Sequence, residues 1–434
     1  MRILFVSRDL KAANLACVLK SEGCDVKLFI ADEFQRPNFQ NLVHKTPDWE
    51  KELPWVGKNG LIVFDDIGYG AVQERLRSEG YSVFGGSKLG DRLEEDREWS
   101  QEIFKKYGLK SPCTINFSNI KAAISFLHQK QGPWVIKQNG CLPKDINYVG
   151  HFKDNRDAIS VLENYNRHNS DNLRMITLQK RVYGVEVGVA RYFNGDDWVG
   201  PIEINVEHKK LFPGDLGPTT AEMGTLAWYT DKSNYLFDTT LAKIKPFLRE
   251  IDFRGDIDIG CIANERGIYP LEATPRLGTP IIHLHREFHA SPWHHFLKAV
   301  ADKKPFRLKW KKGYGIVVLI SLPPFPYNRQ IREPSPLGIE VHFDPSLTKD
   351  DYMHIHFEGI SLEQLKNNGK KYYISDPFGY ALYVTGLGKT ISQARRKTNK
   401  LIEKICIPKM FYRNDIGSSF EATGKEMLER WGYL

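Results

Sequence analysis

The sequence predicts an α/β protein that begins with a doubly wound parallel sheet and continues into strand-rich domains. Over the first hundred residues, short apolar runs alternate with stretches of helical periodicity, which is typical of parallel sheets. After about residue 110 the apolar runs follow one another with fewer helical stretches between them. The 434 residues leave room for roughly two to four domains.

The composition is that of an ordinary globular protein. Hydrophobic residues make up 41% and charged residues 26%, which excludes a disordered, collagen-like or coiled-coil chain. No apolar run approaches the ~20 residues of a membrane helix, and the first apolar stretch is too short for a signal peptide. A net charge of +8 suits anionic small ligands such as nucleotides. The six cysteines form no CxxC pair, so we expect free thiols in the cytoplasm.

Apolar periodicity defines the elements of the first domain. Short apolar runs predict strands, and spacings of three and four residues predict helices. The predicted strands are Arg2–Val6, Val26–Ile30, Leu61–Phe64 and Tyr81–Phe84, and the predicted helices are Leu10–Lys20, Ala71–Glu79 and Asp91–Tyr107.

The rest of the chain is predicted to consist mainly of strands and loops. Residues 200–230 contain Gly214, Gly217, Pro218 and Gly224, so we expect a loop-rich segment there. The predicted strands are Trp134–Lys137, Leu178–Val182, Val185–Tyr192, Ile257–Ala263, Ile268–Ala273, Ile316–Ile320 and Tyr380–Val384, and the closing helix is Ile391–Cys406.

Two acidic residues fall on one face of a predicted hairpin. With a three-residue turn, Asn264 pairs with Ile268 and, counting back, Asp258 pairs with Thr274. Glu272 lies on the same face, because side chains alternate along a strand. Such a face suits Mg²⁺, which prefers carboxylate and phosphate oxygens. Taken alone, the pattern is more typical of exposed acids on a hairpin surface.

Two further segments carry residues suited to a nucleotide. Lys137 ends an apolar strand and precedes a glycine-containing loop, so its ammonium could reach phosphates as a point charge. In residues 178–186 a strand and a returning strand could hold a nucleoside, with Glu186 accepting from ribose hydroxyls. In isolation, Lys137 is an ordinary strand-end lysine and residues 178–186 form a polar turn.

Several stretches of the chain follow one another in an order that is more specific than any one of them. They are Phe84-Gly85-Gly86-Ser87-Lys88, Leu93-Glu94 with Arg97, Val135-Ile136-Lys137-Gln138-Asn139-Gly140, His208-Lys209, the run DLGPTTAEMG at 215–224, LEATPRLG at 271–278 and RNDIG at 413–417. In this order the chain resembles the ATP-grasp fold and, more narrowly, the phosphoribosylamine–glycine ligase family. The similarity extends over essentially the whole chain.

The resemblance implies roles in binding ATP. Lys137 and Arg97 would hold the phosphates, with Lys144 as a further phosphate contact in a lid over about residues 138–178. The backbone around Gln179, Lys180 and Val182 would read adenine, and Glu186 would bind the ribose.

The resemblance also implies a metal and a substrate site. Glu272 would hold Mg²⁺, or Mn²⁺ in its place, with Thr274 where the family has Asn and with Asp258, an acid typical of other ATP-grasp enzymes. Arg276 would stabilise the acyl phosphate as a catalytic residue together with Lys137. The expected substrate contacts are Arg8, Asp66, Lys209, Asp215, Gly217, Pro218, Thr219 and Thr220.

The chain departs from the family pattern mainly near the acceptor. The family's first loop is rich in glycine and cradles a phosphoribosyl phosphate, whereas residues 7–13 (SRDLKAA) contain no glycine. Arg8 and Lys11 could substitute by side chain. The family's GPE loop becomes FDDIGYG at 64–70, its paired glycines become Ala221-Glu222, and its Asp after RFG becomes Thr279.

The resemblance implies an ATP-dependent carboxylate–amine ligase that forms an amide through an acyl phosphate and releases ADP and phosphate. We expect an amino acid such as glycine as the donor, and an acceptor amine for which a nucleotide or nucleic-acid amine stays open. An authentic phosphoribosylamine–glycine ligase of purine biosynthesis and a non-catalytic nucleotide-binding protein on a decayed ligase fold are the alternatives. A monomer or homodimer without membrane contact is expected.

The expected domains are an N-terminal Rossmann-like unit (1–100), a small subdomain with lid and adenine hinge (110–190), a large subdomain with metal and substrate (191–311) and a C-terminal domain (312–434). A histidine-rich stretch lies in the third domain, at His283, His285, His289, His294 and His295. Without an acid or Cys partner at ligand spacing, we expect it on a loop and helix surface.

Overall fold

The computed structural model describes residues 1–138, 147–168, 176–327, 335–366 and 369–434. Its first domain is a parallel sheet with the strand order β3-β2-β1-β4-β5. All neighbouring strands in it are parallel, so the predicted doubly wound sheet is confirmed. The strands are β1 (Arg2–Ser7), β2 (Asp25–Ile30), β3 (His44–Lys45), β4 (Leu61–Phe64) and β5 (Val83–Phe84).

Helices cover both faces of this sheet. Ile3 and Phe5 of β1 pack on one face, and Leu4 and Val6 on the other, because successive side chains alternate. The helices of this part of the chain are α1 (Asn14–Ser21), α2 (Leu53–Val56), α3 (Gly70–Ser78), α4 (Lys88–Glu95) and α5 (Arg97–Lys106). The first three pack on this sheet, whereas Leu93 of α4 and Phe104 of α5 pack in the core of the large sheet.

The single helix predicted over 91–107 is wrong, because the chain breaks at Asp96 between α4 and α5. Asp96 leaves the helical conformation, with φ −119° and ψ 90°, and its carboxylate accepts a hydrogen bond of 3.1 Å from the backbone N–H of Trp99. An aspartate in this position caps the N-terminus of the following helix. Arg97 thereby begins a new helix.

A small antiparallel sheet with the order β6-β9-β7-β8 follows. Ile136 and Leu178 lie in its core against Leu127 and Leu162 of two covering helices. The elements are β6 (Thr114–Phe117), α6 (Ile120–Gln129), β7 (Trp134–Gln138), β8 (Tyr148–Val149), α7 (Arg156–His168) and β9 (Ile176–Lys180).

The largest sheet has the order β14-β13-β10-β11-β12-β15-β20-β17 and is antiparallel. The loop predicted over 200–230 is wrong, because β11 and β12 form a long hairpin there. Its glycines at 214 and 217 lie at the hairpin end, where φ is positive. The strands are β10 (Val185–Asn194), β11 (Trp198–Phe212), β12 (Leu216–Thr230), β13 (Arg254–Asn264), β14 (Gly267–Thr274), β15 (Tyr314–Ser321), β17 (Ile355–Phe357) and β20 (Tyr380–Gly388).

One face of this sheet packs on the main hydrophobic core, through residues such as Val187, Val189, Ile204 and Ile257. The helices that connect its strands are α8 (Tyr235–Thr239), α9 (Lys245–Glu250), α10 (Ile281–Phe288) and α11 (Trp293–Ala301), with a 3₁₀ turn at Leu241–Ile244. On the opposite face, Tyr192 packs with Trp293 and Phe296 of α11 against the N-terminal sheet.

The C-terminal region adds a second small sheet, with the order β18-β19-β16-β21. The predicted closing helix ends at Ile402, four residues earlier than expected, and is followed by a short strand. No helix in the described part of the chain is long and apolar enough to cross a membrane. The elements are β16 (Glu340–Phe343), α12 (Lys349–Met353), β18 (Ile360–Gln364), β19 (Lys370–Ile374), α13 (Ile391–Ile402), β21 (Ile405–Cys406) and α14 (Lys425–Arg430), with a π-helical turn at Phe420–Gly424.

The histidine-rich stretch lies inside the protein for the most part, which corrects the surface prediction. His283, His285 and His289 are buried on and just after α10, His294 is half-buried and His295 is exposed. Within the described residues, no group of three or more His, Cys, Asp or Glu side chains is arranged to hold a metal ion.

Candidate active site

The open face of the large sheet carries the predicted metal residues. Asp258 of β13 pairs with Thr274 of β14, as expected, and Gly260 pairs with Glu272. Asp258 and Glu272 are therefore diagonal neighbours on one face, a separation that a long side chain or a shared ligand can bridge.

The turn of this hairpin differs from the prediction, although the pairing of the acids does not. Asn264 pairs with Gly267 rather than Ile268, so the turn holds two residues instead of three. A bulge next to Gly260 inserts one extra residue in β14 and restores the register. The two deviations cancel before the chain reaches Asp258.

Three basic side chains converge on Glu272 and Glu186. Arg97, at the start of α5, forms an ion pair of 2.8 Å with Glu272. The Lys209 ammonium lies 2.8 Å from Glu207, 3.2 Å from Glu186 and 3.5 Å from Glu272. Burial alone would lower the pKa of Lys209, but the three carboxylates raise it well above its usual range.

Lys137 completes this group from the small sheet. The pKa of its ammonium is lowered to about 7, mainly by burial and also by the positive charges of Arg97 and Lys209, while the carboxylates of Glu272 and Glu186 oppose the shift. The four charged groups that act on Lys137 are therefore the same groups that form ion pairs with one another in the cleft. Lys144 lies outside the described residues.

Asp258 is held by Asn205 of β11, which lies on the same sheet with β10 between the two strands. The Asn205 amide donates hydrogen bonds to Asp258 (2.5 Å) and Glu203 (3.0 Å). Its side chain lies over Gly188, where an added Cβ would meet the Asn205 Oδ1 at 2.1 Å, so a larger residue at 188 would displace the Asn205 amide. Burial raises the pKa of Asp258 well above its usual range, and Glu207 and Glu203 add to the effect.

This chain of contacts continues into the protein. Glu203 is paired with the Nε2 of buried His285, whose Nδ1 lies 2.6 Å from the Tyr192 hydroxyl. Burial would lower the pKa of His285, but the charge of Glu203 raises it overall. The face carrying Asp258 is therefore fixed by a network of buried polar groups.

The predicted adenine hinge lies at the end of β9. The backbone of Gln179 is paired on both sides, with Thr114 of β6 and Val135 of β7. The N–H of Lys180 donates to the Cys113 carbonyl (2.8 Å) and the N–H of Arg181 to that of Pro133 (3.0 Å). The chain leaves the small sheet after Lys180. Val182 therefore lies in the connection that leads to Glu186 on β10.

Arg276 lies in a second group of charges rather than beside Lys137. Its guanidinium forms a bidentate contact with Glu94 (3.2 and 3.0 Å) and lies 3.5 Å from Asp66. Arg8 lines the same place, since its Nη1 is 3.1 Å from where a Cβ of Gly68 would be. Arg8, Asp66 and Arg276 thus meet at the end of the N-terminal sheet.

The remaining predicted substrate contacts lie at the end of the β11–β12 hairpin. Asp215, Gly217 and Thr219 are exposed there, and Pro218 is half-buried. Asp215 forms an ion pair of 2.8 Å with Arg413, which ties the hairpin to the C-terminal region. Thr220, unlike these residues, is buried. Its hydroxyl donates a hydrogen bond to the backbone carbonyl of Lys209 (2.9 Å).

Comparison with known proteins finds similar sequences and similar folds. The family profile described as "Phosphoribosylglycinamide synthetase, ATP-grasp (A) domain" matches residues 95–256. The chain has the ATP-grasp fold. It is 26% identical over 363 residues to a phosphoribosylamine–glycine ligase of Clostridium acetobutylicum, which covers 81% of this chain and 82% of that protein.

Solved structures show the same ATP-grasp fold over nearly the whole length. The phosphoribosylamine–glycine ligase of Thermotoga maritima has a TM-score of 0.70 at 20% identity, covering 96% of this chain and 100% of that one. The biotin carboxylase domain of Hydrogenobacter thermophilus 2-oxoglutarate carboxylase, solved with MgADP and bicarbonate, has a TM-score of 0.63 at 12% identity, covering 94% and 91%.

Three polar residues of β11 that share a sheet face with Asp258 were not predicted from the sequence. Glu203, Asn205 and Glu207 alternate with the buried Ile202, Ile204 and Val206. A strict period of two over residues 202–207 is the signal of a half-buried strand, and it would have found them. The segment was predicted as a loop because of the glycines and the proline at residues 214–224.

Proposed function

We propose that this ATP-grasp protein is a ligase that joins the carboxylate of an amino acid to an amine at the expense of ATP. The proposal rests on the convergence of Lys137, Arg97 and Lys209 on the carboxylates of Glu272 and Glu186 in one cleft. The relatives named phosphoribosylamine–glycine ligase make glycine the first donor to test and phosphoribosylamine the reference acceptor.

The chemistry requires a leaving group on the carboxylate. A carboxylate oxygen of the donor attacks the γ-phosphorus of ATP, the bond to the bridging oxygen breaks, and ADP leaves. The amine then attacks the acyl carbon, phosphate leaves with the electron pair of the C–O bond, and the nitrogen loses a proton. Each step brings anions together, so positive charge fixed in a water-poor cleft is the main contribution of the protein.

The basic side chains are suited to binding phosphates because ion pairs already hold them in the cleft. Arg97 and Lys209 neutralise Glu272 in this structure. Phosphates that enter beside Lys137 would compete for the same two cations and release the Glu272 carboxylate. The carboxylates therefore neutralise these cations until the phosphates bind. Without the carboxylates, the anion site would be a cluster of unneutralised positive charges.

The residues present fit a magnesium ion. Mg²⁺ is usually held by one or two carboxylates together with phosphate oxygens, so a full protein cage is not required. Asp258 and Glu272 are diagonal neighbours, and the buried Oδ1 of Asn205 has no hydrogen-bond partner within the described part of the chain. Asp258, Glu272 and Thr274 would hold the ion, and Mn²⁺ could replace it. When bound, the metal supplies charge neutralisation at the phosphates.

ATP turnover tests the proposal. The full chain should release ADP only when ATP, Mg²⁺ and an amino acid are all supplied together with an amine or hydroxylamine. Glu272→Gln and Lys137→Met should each reduce the rate at least about 100-fold. Glu265→Gln, a substitution in the exposed hairpin turn, is the matched control and should leave the rate unchanged. Magnesium-independent nucleotide binding without turnover would instead favour a non-catalytic binding protein.

A further inference from the structure

The side-chain amide of Asn205 bridges two carboxylates on the open face of the large sheet. Its Nδ2 donates hydrogen bonds to the Asp258 Oδ2 (2.5 Å) and to the Glu203 Oε1 (3.0 Å). Carboxylates only accept hydrogen bonds, whereas an amide nitrogen has two hydrogens to donate. Each hydrogen is therefore used by one carboxylate, and the orientation of the amide toward Asp258 depends on Glu203.

Glu203 is held through its second oxygen by His285 of α10. The His285 Nε2 is paired with the Glu203 Oε2, and the two side chains are 1% and 3% exposed. At the other edge of the ring, the His285 Nδ1 lies 2.6 Å from the Tyr192 hydroxyl. Because water has little access to this pair, the imidazole sets the position of the Glu203 carboxylate.

The imidazole of His285 is itself fixed by the rings that surround it. The ring centroids of Tyr192, Tyr229 and His289 lie 5.5, 5.8 and 5.9 Å from its own centroid. Close packing of this kind leaves a side chain little freedom to change its rotamer. A fixed point on α10 is thus connected to Asp258 through two hydrogen-bonded side chains.

The second polar atom of the Asn205 amide shows that the two carboxylates determine its orientation. Within the described residues, the buried Asn205 Oδ1 has no hydrogen-bond partner. An unpaired buried acceptor costs free energy, so an amide that could turn freely would bring this oxygen to a donor. The contacts with Glu203 and Asp258 outweigh that cost. If Glu203 loses its partner, we expect the amide to turn and the Asp258 carboxylate to move.

We propose that His285 is a positioning residue for the divalent metal ion, because through Glu203 and Asn205 it holds one oxygen of Asp258 and leaves the other for the ion. The proposal rests on the proposed ligase function for the presence of the metal. His285 is separated from Asp258 by two side chains, so its removal should weaken metal binding without removing a ligand. Residues that orient metal ligands typically contribute about ten- to hundredfold to metal affinity.

Binding of Mn²⁺, a paramagnetic substitute for Mg²⁺, tests the proposal without turnover. The full chain is saturated with a non-hydrolysable ATP analogue and titrated with Mn²⁺, and the enhancement of water-proton relaxation gives the apparent Kd of the bound ion. His285→Leu removes the partner of Glu203 and should raise this Kd at least about tenfold. His285→Gln can still donate a hydrogen bond to Glu203 and should restore the Kd to within about threefold of the wild-type value.

His283→Leu is the matched control, because His283 is another buried histidine of α10 and instead stacks on His356. It should lower the Tm as His285→Leu does, but it should leave the Kd for Mn²⁺ unchanged. A double-mutant cycle supplies a second measurement. Asn205→Ala already breaks the connection to Asp258, so adding His285→Leu to it should raise the Kd by less than about twofold. If His285→Leu does not fold, His285→Asn, which is too short to reach Glu203, takes its place in both measurements.

Three results would each overturn the proposal: an unchanged Kd in His285→Leu, an equal rise in His283→Leu, or additive effects of His285→Leu and Asn205→Ala. Release of ADP separates the proposal from the ligase function. A Kd that rises only in the His285 and Asn205 variants, in a chain that releases no ADP with any amino acid and amine, would support the positioning role and contradict the ligase. Release of ADP by the wild type, with unchanged Mn²⁺ binding in His285→Leu, would support the ligase and contradict the positioning role.

Discussion

Replacement of Lys137 by methionine should stabilise the empty protein while removing its affinity for ATP. Burial holds the pKa of Lys137 at about 7, whereas its ordinary value is 10.5. At about 1.4 kcal/mol per pH unit, this difference corresponds to a cost of about 5 kcal/mol for keeping the ammonium charged in the cleft. Methionine has a similar length and carries no charge, so it removes this cost.

The sign of the pH dependence follows from the lowered pKa. Below pH 7 both folded and unfolded chains hold the proton, and the full cost is present. Between pH 7 and 10.5 the unfolded chain binds more protons than the folded one, so the stability of the wild type rises with pH. The advantage of Lys137→Met, measured by urea unfolding, should therefore be largest below pH 7 and should shrink toward pH 10.5.

ATP should reverse this shift, because its phosphates favour the charged lysine. At pH 8 the empty wild type holds Lys137 largely neutral, so ATP binding should take up about one proton, and about half a proton at pH 7. Calorimetric titration in two buffers of different ionisation enthalpy measures this uptake. Lys137→Met should abolish it, and Lys121→Met, on the exposed side of α6, should not. The reasoning is refuted if Lys137→Met destabilises the protein at pH 6 and leaves the proton uptake unchanged.

Three further substitutions separate metal binding from folding. Glu272→Gln should lower kcat at least about 100-fold while the Tm stays within a few degrees, and a normal kcat would remove Glu272 from the metal site. Asn205→Ala should raise the Mg²⁺ concentration needed for half-maximal turnover about tenfold, because Asp258 loses the amide that orients it; an unchanged Mg²⁺ requirement would show that Asn205 does not act through Asp258. Asp96→Ala should cost about 1 kcal/mol of unfolding free energy through loss of the α5 cap, with kcat unchanged.

The sequence carried enough information for the parallel sheet, whereas the correct pairing of Asp258 with Thr274 was partly fortuitous. Continuous apolar runs such as 61–64 can hardly form anything other than buried strands. The hairpin register was correct at the acids even though the turn was shorter than expected, because a bulge near Gly260 compensated for it. Such a bulge has no strong local signal, so the agreement depended on two unseen deviations of opposite sign.

Other features were out of reach because they depend on partners far away in the chain. The role of Arg276 at the acyl phosphate stays a prediction, but the contact of its guanidinium with Glu94, 182 positions earlier, had no signal in the sequence. The substrate contact of Asp215 likewise stays a prediction, and its ion pair with Arg413 at an exposed hairpin end could not be read from the sequence. Ion pairs between distant segments are fixed by tertiary packing, and local periodicity contains no record of them.

A crystal structure with Mg²⁺ and a non-hydrolysable ATP analogue would test the central claim most directly. We predict that the Lys137 Nζ lies within hydrogen-bond distance of a phosphate oxygen and that the metal contacts Glu272. Arg97 and Lys209 should then have exchanged the Glu272 carboxylate for phosphate. A complex in which Arg97 keeps its ion pair with Glu272, and the phosphates lie away from Lys137, would contradict the account.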